Sequence, residues 1–244
     1  MRKIYADLHL CPNLGDHNQA SIMIHRASQL AYSLIAVSFP PDFSEDQKQT
    51  IRETCKEAKI GLATRVDLKP KTPGELVSNL RRLRRKFEII AVTCETKSVA
   101  RQAAKDRRVD LLNFQSVDYH KRFFDHAEAE LASNGLAALE IDIKSLLVLE
   151  GQARTKLLFS LRRETAIAQA FHVPIILSSG VSDKLLMREP MALVALSSLF
   201  DLNRVSAIDA ISKNPKGIYE RNKSKLSSKF VAPGIRIVWR GKDC

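Results

Sequence analysis

The sequence predicts an α/β fold: a (β/α) barrel of the TIM-barrel type with seven clear strands, incomplete closure and extra helices at its C-terminal end. Three observations predict it. Short, nearly uninterrupted apolar runs recur along the 244 residues, helical patterns separate them, and no Gly/Ser/Pro-rich linker interrupts the series. Strands buried on both faces read as continuous apolar runs and need helices outside a parallel sheet. Seven or eight such units favour a barrel over a doubly wound open sheet.

The apolar runs are Ile4–Leu10, Leu34–Phe39, Ile60–Leu68, Glu88–Cys94, Asp110–Phe114, Leu136–Ile143 and Val173–Ser178. Helix starts lie between them. Ser44 is followed three residues later by Gln47, and Thr72 by Glu75 with Pro73 at the first helical position, so both spacings fit a capping box. Leu76, Leu80, Leu83 and Phe87, and then Leu157, Leu161, Ala168 and Phe171, keep the helical rhythm of core faces. Asn134-Gly135 has the composition of a helix C-cap. After Arg188 the pattern changes to successive helices, Pro190–Phe200, Asn203–Ser212 and a third starting at Pro215. These readings give one barrel domain over residues 1–220. Residues 221–244 carry seven Lys/Arg against one Asp and the alternation Ile235, Ile237, Trp239. They form either an eighth or edge strand or a basic tail that orders on a partner.

A chain of this size removes roughly 70 to 75% of its unfolded surface from water on folding, so its core needs no metal or disulfide staple. Lys plus Arg number 39 and Asp plus Glu 27, a net charge of +12, which implies a polyanionic partner or an anionic surface. Cys11, Cys55, Cys94 and Cys244 form no C-x-x-C pair, which speaks against a zinc knuckle or redox dithiol and for a reducing cytoplasm. The N-terminus meets Asp7 before any signal-like apolar run, and no stretch is long enough to span a bilayer. The membrane therefore recedes as a partner and nucleic acid moves ahead.

In a barrel, chemistry sits where strands run out into the following loops. There the chain places Asp7 and His9, Arg65 and Asp67, Cys94 and Glu95, Glu140 and Asp142, and Asp183. The Asp7-x-His9-x-Cys11 start resembles the first-strand motif of the PHP phosphoesterase superfamily, whose barrels bind metals through His-x-His. Cys11 stands where the second His would be, and Asp183 is followed by Lys184-Leu185 where that family closes with x-His. A hydrolytic centre that lacks imidazoles at two strand ends lacks its full ligand shell. Asp7 and His9 then read as a buried hydrogen-bonded pair, with no metal ligands and no catalytic residue in this chain. His17, His25, His120, His126 and His172 show no metal-ligand spacing. Ser178-Ser179-Gly180 reads either as a phosphate-cradling turn or as an ordinary strand-to-loop turn. No G-x-S-x-G, GxGxxG or Walker A sequence occurs.

Arg81, Arg82, Arg84, Arg85 and Lys86 place five cations in six positions, and Arg101, Lys105, Arg107 and Arg108 follow at the end of the next helix. Adjacent outer helices can merge these into one face suited to a phosphate backbone. The alternative is a solvated helix face. Aromatics are sparse and no RNP or KH signature is present, so recognition of shape and backbone is expected over base reading.

Three segments together resemble the archaeal ribonuclease P protein component 3 family, related to a eukaryotic subunit of thirty kilodaltons. They are Tyr5-Ala6-Asp7-Leu8-His9; Ile90–Cys94 with Arg108–Leu112; and Ile176–Val181 with Met187-Arg188-Glu189-Pro190. The resemblance implies a protein subunit of the ribonucleoprotein endonuclease that removes 5′ leaders from precursor tRNA. It implies that the RNA component holds the catalytic Mg2+, that the chain binds no cofactor, and that it acts with protein component 2 and other subunits to help fold the catalytic RNA. Precursor tRNA is then an indirect partner. By motif, Lys184 and Arg188 at the barrel mouth, with Arg107 and Arg108, become candidate RNA contacts; Arg81–Lys86 rest on charge alone. The competing function is a PHP-like metal-dependent phosphoesterase or nuclease using Asp7, His9, Glu95 and Asp183.

Overall fold

The computed structural model describes residues 4–227, 229–232 and 235–237. Seven parallel strands pair in chain order: β1 (Ala6–Leu10), β2 (Leu34–Ser38), β3 (Gly61–Leu68), β4 (Ile89–Thr93), β5 (Leu111–Asn113), β6 (Ala138–Asp142) and β7 (Ile175–Ser178). Between them lie α1 (His17–Gln29), α2 (Glu45–Glu57), α3 (Pro73–Leu83), α4 (Lys97–Lys105), α5 (His126–Gly135), α6 (Lys144–Val148) and α7 (Gly151–Ala170). The sheet curls until the residues just after β7 reach β1. There Val181 bridges Leu10, the Gly180 N–H donates to the His9 carbonyl and the Cys11 N–H to the Val181 carbonyl, both at 2.9 Å. The result is a nearly closed seven-stranded barrel, as the alternation predicts.

Helix starts follow local chemistry. Asp16, Ser44, Thr72, Thr96 and Asp125 each accept the N–H three residues on, a cap of about 1 kcal/mol. At Ser44 the Gln47 side chain reciprocates and the capping box is complete. At Thr72 it is not, because the Glu75 carboxylate accepts the Lys71 N–H at 2.8 Å. The end of α5 also differs from expectation: the left-handed residue is Leu136, at φ 69°, and not Gly135. Gly135 is needed for another reason. A Cβ there would stand 2.1 Å from the Ala104 carbonyl oxygen, so the glycine lets α5 lie against α4.

Inward-facing positions decide where the site sits. Ala6, Leu8, Leu34, Ala36, Ala63, Ile89, Ala91, Leu111, Ala138 and Ile176 form one apolar cluster inside the barrel, while the larger core lies between strands and helices. Two residues further along the same strand faces, the inward positions become polar: Ser38, Arg65, Asn113, Glu140 and Ser178. The period of two thus gives an apolar base and a polar mouth at the C-terminal strand ends.

Beyond β7 run α8 (Pro190–Ser197), α9 (Arg204–Ile211) and α10 (Lys213–Leu226). α10 begins two residues before the expected Pro215, which falls in the first turn, where its missing N–H costs nothing. Ile218 and Tyr219 of α10 pack on the inner apolar cluster and plug the base of the barrel. The expected boundary at Arg221 falls inside α10. Asn222 is buried there, its amide donating to the Glu88 carbonyl at 2.8 Å and to Asp110 at 2.7 Å. β8 (Phe230–Ala232) and β9 (Ile235–Arg236) pair antiparallel in a sheet of their own. Trp239, the last residue of the alternation noted above, lies outside the described residues.

A buried acid joins α4 to α5. Arg101 holds both oxygens of Asp125 at 2.7 Å and Glu128 at 3.2 Å, but Glu128 Oε1 is the buried side-chain oxygen without a partner among the described residues. Burial pushes the Glu128 carboxyl from 4.5 up to about 8. Its folded pKa lies above its unfolded one, so the folded chain keeps a proton that the unfolded chain loses as pH rises between them. Stability should therefore fall between about pH 4.5 and 8, by at most roughly 1.4 kcal/mol per pH unit from this group. Denaturant unfolding across that range should show a flatter profile for Glu128→Gln than for the parent chain; identical profiles would remove Glu128 as the cause.

Candidate functional site

The barrel mouth is built around a buried guanidinium. Arg65, fully inaccessible on β3, directs all five of its N–H donors at acceptors. Nε and Nη2 bind Asp67 Oδ1 at 2.9 and 2.7 Å, Nη1 and Nη2 bind the two Glu140 oxygens at 2.5 and 2.6 Å, and Nη1 also reaches the Leu8 carbonyl at 2.6 Å. Glu140 is equally satisfied: Oε1 also accepts from Ser178 at 2.8 Å and Oε2 from Asn113 at 3.0 Å. The other Asn113 amide hydrogen goes to Asp142 at 2.8 Å. Ser38 donates to Asp67 Oδ2 at 2.6 Å.

His9 completes the ring, its Nδ1 2.8 Å from Asp142 and its Nε2 3.6 Å from Asp67. Burial and the Arg65 charge oppose its protonation, yet the Asp142 carboxylate, with Asp67 behind it, holds the imidazole well above its ordinary pKa. Despite burial, Arg65 keeps Asp67 well below the carboxylate range, and His9 lowers Asp142. Burial moves Asp7 the other way, against the N–H groups of Ser179 and His9 that it accepts. The Ser179-Gly180 turn closes the seam: Ser179 Oγ donates to the His9 carbonyl, and Gly180, at φ 65°, lies where a Cβ would be 2.7 Å from Asp142 Cγ.

His9, Glu140 and Asp142 bring one potential ligand atom each within 4.8 Å of one another, a cluster with the donor types a metal ion uses. The donors are already committed. Both Glu140 oxygens carry two hydrogen bonds, the His9 Nδ1 is engaged with Asp142 at 2.8 Å, and the fixed positive charge of Arg65 lies beside them. The Arg65 charge and these hydrogen bonds compete with a divalent ion for the same oxygens.

Of the sequence-derived phosphoesterase set, only the His9 side chain enters this ring; Asp7 is buried beside it and accepts the backbone N–H groups of His9 and Ser179. Glu95 is exposed, and Asp183 is exposed and caps the short turn Lys184–Leu186 through the Leu185 N–H. The residues that do converge, Arg65 with Asp67 and Glu140 with Asp142, are i, i+2 pairs at strand ends. That period was the signal for a shared face.

The candidate RNA contacts separate into several places. Arg81, Arg82, Arg85, Lys86 and Arg107 are exposed. Arg84 is half-buried, and protein acceptors occupy it: the carbonyls of Phe87, Glu88 and Arg108 and the Asp110 carboxylate. It ties the end of α3 to the starts of β4 and β5. Arg108 is paired with Asp106 through two bonds of 2.8 and 2.6 Å. Lys184 lies at the mouth's edge. Arg188 folds back onto the same turn, its Nη1 donating to the carbonyls of Leu185 and Met187 at 2.8 and 3.0 Å, while its own carbonyl accepts the hydroxyl of Tyr32. Lys184 and Arg188 share a surface cavity of about 520 Å³ with Ile22, His25 and Arg26 of α1.

Comparison with known proteins gives this geometry its context. The chain is 27% identical over 215 residues to ribonuclease P protein component 3 of Methanosarcina barkeri, covering 88% of this chain and 87% of that protein. It is 22% identical over 227 residues to the same component of Methanothermobacter thermautotrophicus, covering 91% of each. Its fold matches a chain of a cryo-EM structure of archaeal ribonuclease P with mature tRNA, with a TM-score of 0.83 at 22% identity, over 96% of this chain and 99% of that one. A 5-methylcytosine deaminase from Klebsiella pneumoniae shares only the barrel, with a TM-score of 0.57 at 12% identity, over 86% of this chain and 64% of that one. The family model described as RNase P subunit p30 matches residues 4–227, nearly the whole length, and the chain belongs to that family.

Proposed function

We propose that this chain, a protein component of the ribonucleoprotein that matures precursor tRNA, works there as an RNA-binding scaffold that helps the catalytic RNA fold. In this reading it acts in the cytoplasm with protein component 2 and other protein subunits, and meets precursor tRNA indirectly. Catalysis belongs to the holoenzyme, with Mg2+ on the RNA, and the isolated chain is non-catalytic. The family match over residues 4–227 carries the reading. Two properties support it: the +12 charge suits a polyanion, and Arg65 occupies the mouth in which a phosphoesterase would hold its metals. No helix among the described residues is long and apolar enough to cross a membrane.

Native protein should co-purify with one structured RNA. A transcript of that RNA should bind the purified chain, alone or with its protein partner, with log affinity falling against log salt by roughly 0.7 to 0.9 per neutralised phosphate. Salt-insensitive binding contradicts the scaffold reading. Hydrolysis of a phosphodiester by the chain with Mn2+ or Mg2+ and no RNA, abolished by His9→Ala, would establish the phosphoesterase reading in its place.

A further inference from the structure

At the base of the barrel, opposite the mouth, a bay of about 560 Å³ lies between the ends of α3 and α4 and the C-terminal helix α10. Arg84, Arg85, Arg107, Arg108 and Lys225 line it, and no carboxylate does. Arg84 and Arg108 are neutralised by Asp110 and Asp106. Asp110 is itself saturated, since Arg221, Asn222 and the Ile90 N–H also bind it. Among the described residues, Arg85, Arg107 and Lys225 have no carboxylate within 4 Å. Three cations therefore face one cavity with no carboxylate in ion-pair contact among the described residues. The Lys225 ammonium is held below its ordinary pKa, by partial burial first and then by Arg221, Arg84 and Arg107 against the opposing pull of Asp110. Leu226, Phe230 and Val231 supply the bay's apolar wall, with Val231 58% exposed. An apolar wall beside unpaired cations suits a nucleotide, whose phosphate takes the charge and whose base covers the ring.

We propose that this bay binds one phosphodiester of an RNA backbone through Arg85, Arg107 and Lys225, with the adjoining base against Phe230. The proposal rests on the scaffold reading and adds to it where on the chain RNA is held. It draws the C-terminal helix and hairpin into the same site as the basic residues of α3 and the α4–β5 loop. Sequence distance hid this, because Lys225 lies more than a hundred residues after Arg107.

The test measures affinity and salt slope for the co-purifying RNA with full-length variants. Arg107→Gln and Lys225→Gln should each bind about tenfold more weakly, the loss of one charge-assisted contact, and should each lower the salt slope by about one. Phe230→Ala should weaken binding without changing the slope. Lys156→Gln, exposed on α7 and outside the bay, should change neither. If the parent chain binds RNA with a steep slope and the bay variants match it, the bay is refuted while the scaffold reading stands. If the parent chain binds no RNA, alone or with its protein partner, the scaffold reading falls, and inorganic pyrophosphate decides the bay. Amide shifts around Lys225 that vanish in Arg107→Gln keep it as an anion site; no shift refutes it.

Discussion

Replacing Arg65 with Met is expected to abolish the cooperative thermal unfolding transition or lower its midpoint by tens of degrees. The variant strands the Glu140 carboxylate with no access to water and removes the main partner of Asp67. Breaking a buried pair by removing one partner costs on the order of 3 to 5 kcal/mol, and here two pairs share one cation. A whole domain has roughly 5 to 15 kcal/mol to lose. Arg65→Lys should rescue little, since an ammonium offers three donors at one point where five are needed in a plane. Adding Glu140→Gln and Asp67→Asn to Arg65→Met should restore much of the loss, because it removes the charges that were stranded. A midpoint for Arg65→Met within a few degrees of the parent, by circular dichroism, would show that Arg65 is not the counterion of the mouth.

The second large effect concerns the outer wall. Arg122, in the segment after β5, binds both oxygens of Glu164 on α7 at 2.7 and 2.6 Å and the carbonyls of Phe114 and Ser116. Glu164 is fully buried, so this one guanidinium ties the loop between β5 and α5 to α7 and neutralises an inaccessible carboxylate. Arg122→Met should cost about 3 to 5 kcal/mol, and Arg122→Met with Glu164→Met clearly less than the two single changes together. Additive losses in denaturant unfolding would argue against a coupled pair. The RNA affinity of any folded Arg122→Met protein should stay at the parent's level, because Arg122 lies outside the basic bay at the base of the barrel.

Much of the fold was legible because its signals are local. Strand runs such as Leu34–Phe39 and the stripe Leu76, Leu80, Leu83, Phe87 needed only a period of two or 3.6 to be read. Ser44-x-x-Gln47 marked a helix start by its own hydrogen bonds. Where a neighbour intervened, local reading failed. Glu75 turned to the Lys71 N–H and left its capping box half made, and Gly135 owed its identity to the Ala104 carbonyl of another helix and not to its own dihedral angles.

The candidate site divides along the same line. Asp7 and His9 were visible as a strand-end motif, and the net charge pointed to a polyanion. Which acids join them was not visible. Glu95 and Asp183 sit at strand ends too, but their loops turn them to solvent, whereas Glu140 and Asp142 face Arg65 because barrel curvature aims the inward positions of β3 and β6 at one axis.

By itself, the sequence determined the order of strands and helices, the apolar core faces, the excess of positive charge and the family. All of these are fixed by residue type and short-range spacing. Only the tertiary structure decided that an internal arginine fills the barrel mouth, that Arg84 and Arg108 are bound to protein acceptors, and that Arg85, Arg107 and Lys225 remain together. The reason is physical: whether a charge is free depends on which distant carboxylate the closed barrel brings within hydrogen-bonding reach.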